Sequence, residues 1–64
     1  MTQDTINHIL ENGFNTDKFK KGSEYVKTMV SDYRSDAYLM KYDFPYESET
    51  YFRIADEVES EFLK

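Results

Sequence analysis

Seven apolar side chains recur at helical spacing through the middle of this chain, and that stripe limits the fold more than any other feature. At about 100° per residue, Phe19, Val26, Met29, Val30, Tyr33, Ala37 and Met40 fall within an arc of roughly 100°. A face of this width must be covered by other elements, and the flanking sequence supplies them. Ile6, Ile9 and Leu10 follow the candidate caps Thr2 and Asp4 and precede the stop signal Asn12-Gly13, so they read as a helix of about two turns. Gly13 suits the left-handed position after a helix, which turns Phe14 back over the helix end. Phe14 and Phe19 are spaced as a hydrophobic staple around an Asn15 cap, which predicts a second helix from Thr16.

Two dipeptides are able to interrupt the striped helix. Gly22-Ser23 is a good cap pair, and Ser35-Asp36 is able to end one helix and cap the next. Gly22 is in phase with the stripe, so a close helix crossing is the alternative there. Tyr42-Asp43-Phe44-Pro45-Tyr46 reads as a connector, because Pro45 disfavours helix at Phe44 and cannot continue one itself. Glu47 or Ser48 then opens a last helix in which Tyr51, Ile54, Ala55, Val58 and Phe62 share one face, with Phe52 and Leu63 at its edge. No segment alternates with period two, and no internal repeat is visible. The expectation is one all-α domain over 1–64: a small bundle of three to four helices at approximately 3–12, 16–34, 36–42 and 47–63.

Composition decides whether so short a chain folds. Leu, Ile, Val and Phe make up about 22% of its 64 residues, barely above the roughly 20% below which disorder is the better expectation. Six tyrosines supply the missing apolar area while keeping one polar atom each wet. A domain of this size commonly needs a staple, and without cysteine the remaining routes are very regular helix packing or self-association. The absence of cysteine also removes thiol chemistry and thiolate metal sites.

The first residues carry neither a basic group nor an apolar run, so no secretory signal and no membrane span are expected, and the default location is cytoplasmic. The net charge is −5, and all of the excess lies in 43–64, where seven acids face only Arg53 and Lys64. Direct binding to nucleic acid needs a basic face that this chain lacks, so a protein partner with a basic surface is the easier match. Lys18, Lys20, Lys21 and Lys27 form the one basic cluster; interleaved with Asp17 and Glu24, they read as charge balance between helices.

Two surfaces are candidate sites. Glu49, Asp56, Glu57 and Glu61, with Glu47 before them and Glu59 at the margin, form an acidic row on the last helix. Carboxylates three or four residues apart on a helix stand about 5–6 Å from one another, near the spacing of successive phosphates, so the row is able to imitate nucleic acid in a basic groove. The plainer reading is a solvated face, favoured by Arg53, which is placed to pair with Glu49 and Glu57. The second candidate is Tyr38, Leu39 and Tyr42, which on an unbroken helix point away from the core stripe. Phe44 and Tyr46 lie just beyond and complete an aromatic patch of the kind enriched at interfaces. A break at Ser35-Asp36 would turn the same residues inward as core.

No catalytic constellation stands out. His8, the single histidine, points away from Ile6, Ile9 and Leu10 in a helical reading and is expected to be exposed, with no designated nucleophile or metal ligands beside it. Asp56 and Glu59 are paired carboxylates, but the loop spacing and glycine of calcium sites are missing. Neither a phosphate loop nor a serine elbow is present, so no cofactor, no metal and no enzymatic activity are expected. The functional expectation is a binding module that inhibits or modulates a larger, nucleic-acid-handling protein by occupying its surface. Small acidic tyrosine-rich composition is shared with inhibitors carried by phages and other mobile elements. The competing expectation is an assembly subunit that homodimerises or folds within a complex.

Overall fold

The Thr2 hydroxyl accepts a hydrogen bond from the Thr5 amide and opens α1, Gln3–Glu11, in the computed structural model of residues 1–64. The helix stops at Asn12 because Gly13 enters the left-handed region at φ +88°, which lets the Gly13 amide bond back to Leu10 and the Phe14 amide to Ile9. These two reversed bonds satisfy carbonyls that the helix end leaves open. Asn15 then caps a single 3₁₀ turn, Thr16–Lys18, by accepting from the Asp17 amide.

The second long helix, α2, spans Glu24–Met40 and begins at Ser23, whose hydroxyl accepts from the Val26 amide. The predicted start at Thr16 is therefore wrong, because Gly22 at φ +75° breaks the chain direction between Phe19 and the rest of the stripe. The Gly22 amide donates to the Phe62 carbonyl at 2.8 Å and so closes the loop onto the far end of the last helix. At Ser35-Asp36 the helix continues without interruption. Tyr33 and Ala37, on either side of that pair, are both fully buried, and their packing outweighs the few tenths of a kcal/mol by which Ser and Asp disfavour a helix interior. The segments 16–34 and 36–42 are thus one turn of 3₁₀ helix followed by one long α-helix.

The last helix, α3, is Pro45–Phe62, two residues longer at its start than the predicted Glu47 or Ser48 cap. Pro45 sits at the first helical position, where its missing N–H is no loss and its fixed φ is already helical. Ser48 is accordingly not a cap but a buried residue whose hydroxyl donates to the Ala37 carbonyl at 2.7 Å. That carbonyl lies in the last turn of α2, where the Lys41 amide reaches Tyr38 instead. Ser48 therefore satisfies an acceptor left over by the helix end.

Successive contacts from Ala37 with Ser48, to Arg34 with Asp56 and Glu59, to Gly22 with Phe62 run α2 and α3 antiparallel. The fold is a three-helix, all-α bundle built on this hairpin. Its core joins Ile9, Val26, Met29, Val30, Tyr33, Ile54, Ala55 and Val58, bordered by Phe14, Phe19, Tyr51 and Phe62. The α1 contribution departs from the predicted face of Ile6, Ile9 and Leu10: Thr5 and Ile9 are buried, Leu10 is half exposed, and His8 is turned inward. Polar ends of the core tyrosines explain the rotation. The Tyr33 hydroxyl contacts Nδ1 of His8 and the side-chain amide of Asn12, and the Tyr51 hydroxyl donates to Oδ1 of Asn12. Facing Leu10 inward would leave those hydroxyls unmatched. The expectation of an exposed, unengaged His8 is corrected by the same contacts.

Candidate functional site

Because α2 runs straight through Ser35-Asp36, its last turn keeps the phase that aims Tyr38, Leu39 and Tyr42 outward. Tyr38 is 65% exposed, Leu39 79% and Tyr42 89%, and across the connector Phe44 is 56% and Tyr46 84% exposed. These five are most of the large apolar side chains left on the surface; Leu10 is the other. All five belong to the end of the hairpin where α2 gives way to α3. Tyr38 is anchored there by an edge-to-face contact with Phe52 of α3, with ring centroids 5.0 Å apart. Tyr42, Phe44 and Tyr46 make no ring-to-ring contact, and Leu39 is the most exposed aliphatic side chain of the patch.

Beside this patch lies an open groove of about 530 Å³ between the end of α2 and the start of α3. Pro45, Tyr46 and Phe52 make its apolar walls, and Ser48 lies at its floor with its hydroxyl already donated to Ala37. Glu49 and Lys41 bring opposite charges to it. Sequence reasoning placed Glu49 with the acidic row and Phe52 at the margin of the core. It passed over Lys41 and Pro45 as groove residues, since only the packing of one helix end on another creates the concavity.

The acidic row divides. Arg34 of α2 forks onto Glu59, with nitrogen to oxygen distances of 2.9 and 3.0 Å, and reaches Asp56 at 3.0 Å. Hydrogen bonding to Arg34 holds the Glu59 carboxyl below the ordinary glutamate range, and the two acids push the Arg34 guanidinium further up. Asp56 and Glu59, considered above as a cation pair, hold this guanidinium instead. Glu61 accepts from the Met1 amino group at 3.1 Å through both oxygens. Arg53 approaches Glu57 at 3.8 Å but makes no ion pair with Glu49. Glu49 is thus the one member of the predicted set Glu49, Asp56, Glu57 and Glu61 outside any ion pair.

The basic cluster does not bridge helices as expected. Lys27 pairs with Glu24 on its own helix, and the Lys18 ammonium lies 5.6 Å from the centre of the Tyr25 ring. Arg34 went unremarked in the sequence because its role depends on the register between α2 and α3. No helix is long and apolar enough to cross a membrane. No protein family, curated protein or solved structure matches this chain.

Proposed function

We propose that this chain is a protein-binding module that occupies the surface of a larger protein with a basic face, and that it does so through the aromatic end of the α2–α3 hairpin. One observation carries the reading: Tyr38, Leu39, Tyr42, Phe44 and Tyr46 remain 56–89% exposed on a chain that has little apolar surface to spare. The four aromatic side chains among them expose on the order of 600 Å², taking about 200 Å² for each whole side chain. That approaches the roughly 800 Å² that one partner contributes to a standard interface. Exposed tyrosines of this kind form the energetic centres of interfaces.

The net charge of −5 steers a basic partner toward the module and speeds association at low salt. Internal pairing of Asp56, Glu59 and Glu61 favours this steering role for the acidic helix over direct contact as a nucleic-acid mimic. A module of this design acts on a nucleic-acid-handling protein by covering its surface, without catalysis of its own.

The same apolar area supports a second reading, an assembly subunit whose hairpin ends meet in a homodimer. Melting at several protomer concentrations separates the two, since an obligate dimer gains stability with concentration and a monomeric module does not. The test of the shared surface is capture from a lysate of the source cells by the native chain and by Leu39→Ala/Tyr42→Ala, at low and high salt. The variant is expected to lose a basic protein that the native chain retains at low salt. Identical capture by both chains, with identical mass in solution, rejects the hairpin end as the contact surface.

A further inference from the structure

We infer that the groove between α2 and α3 receives one arginine side chain of the partner protein, held between the Glu49 carboxylate and the ring of Tyr46; this rests on the hairpin end being the contact surface. Pro45 and Phe52 offer apolar walls to a methylene stem, and the Ser48 hydroxyl on the floor is engaged with Ala37. Such a groove takes a side chain whose body is apolar and whose polar head stays at the rim.

At the rim, Glu49 is free of ion pairs, as is Glu47 before it, while Asp56, Glu57, Glu59 and Glu61 further along α3 are engaged by Arg34, Arg53 and Met1. Tyr46 and Glu49 are three residues apart on one helix, so their side chains stand about 5–6 Å from each other. A guanidinium spans that gap, presenting its edge to the carboxylate and its face to the ring. Arginine is favoured over lysine because a planar fork satisfies both contacts at once, whereas an ammonium is a single point charge.

Lys41 gives the groove its polarity. It lines the same groove as Glu49 without an ion pair, so its charge disfavours a run of cations there, and its ammonium is able to donate to a main-chain carbonyl of the entering segment. One basic residue in an otherwise uncharged stretch therefore fits better than a polybasic run. Phosphate-bearing ligands meet the unpaired Glu49 and are disfavoured.

The experiment is an NMR titration of the full chain, labelled with ¹⁵N, with N-acetyl-arginine methylamide and separately with N-acetyl-leucine methylamide. The arginine probe is expected to shift the amides of Tyr46, Glu49 and Phe52 and to saturate in the millimolar range. Glu49→Gln is expected to weaken that binding by about fivefold, the upper end for an exposed ion pair. Glu49 makes no internal pair, so this variant keeps the fold, and its circular-dichroism spectrum verifies that. Equal binding of the leucine probe, no effect of Glu49→Gln, shifts confined to Asp56, Glu59 and Glu61, or no shifts at all overturn the arginine site. Leu39→Ala/Tyr42→Ala lies outside the groove. Loss of partner capture in that variant, with Glu49→Gln unaffected in both assays, would reject the arginine site and leave the hairpin-end reading standing.

Discussion

The Tyr33 hydroxyl stands 2.8 Å from Nδ1 of His8. The Asn12 side-chain amide donates to the Tyr33 oxygen at 3.3 Å and lies 3.1 Å from the same His8 nitrogen. Tyr51 completes the chain by donating to Oδ1 of Asn12 at 3.2 Å. One polar cluster thereby ties α1 and its cap to both long helices.

His8→Ala should destabilise the fold by about 1–3 kcal/mol, the cost of taking from a buried hydroxyl its nearest hydrogen-bond partner. In the His8→Ala background, Tyr33→Phe should cost much less than it does in the native chain, because the partner is already gone. Urea denaturation of the four proteins measures both. Additive effects would show that the 2.8 Å contact contributes nothing of its own.

Alkaline pH should unfold the protein through the same tyrosine. Burial, followed by the influence of Tyr51, pushes the Tyr33 hydroxyl well above the ordinary tyrosine value. The folded state therefore holds this proton more tightly than the unfolded chain does. Stability from Tyr33 is fully present below about pH 10, the unfolded value, and declines as pH rises above it. A urea midpoint that stays flat between pH 9 and pH 11, beyond what Tyr33→Phe shows, would contradict this.

Ser48→Ala should lower stability by about 1–2 kcal/mol, since it strips the Ala37 carbonyl of a donor in a buried place. Gly22→Ala should cost a similar amount for a different reason. No atom lies within 4 Å of an added Cβ at Gly22, so the whole effect is the strain of φ +75°, roughly 1–2 kcal/mol. Thermal melts of the two variants provide the comparison.

Surface and core tyrosines should separate cleanly. Tyr42→Ala and Tyr46→Ala are expected to change stability by less than about 0.5 kcal/mol. Tyr33→Ala, at 1% exposure, should cost about 3–5 kcal/mol. Strong destabilisation by Tyr42→Ala would make that residue part of the core rather than of a docking surface.

Arg34→Gln should flatten the acid side of the stability curve. Glu59 titrates below its ordinary range because of Arg34, so its contribution is present above the unfolded glutamate value and is lost as pH falls through the folded one. The native chain should therefore lose stability below about pH 4.3, and the variant should lose less over the same window.

Reading the residues in order was enough to reach the helical class, a cap at either Thr2 or Asp4, the Gly13 stop and the inward face of α3, because each depends on neighbours within one turn. Helix boundaries at Ser23 and Pro45 were harder, since Asn15 and Ser48 are chemically good caps and only packing decides which cap is used. Asn15 did cap a turn, but a 3₁₀ one, and Ser48 became the donor to Ala37. Whether Tyr38 and Tyr42 were core or surface hung on Ser35-Asp36, where local propensity and burial of Tyr33 and Ala37 pull in opposite directions. Tertiary structure settled that contest for the unbroken helix. It also turned His8 inward, matched Arg34 with Asp56 and Glu59, and brought Glu49 to the groove beside Lys41. These pairings join residues from 8 to 41 on one side with residues from 33 to 59 on the other. Periodicity specifies which face of a helix is apolar, whereas the register and rotation that set such contacts are fixed only when the helices pack.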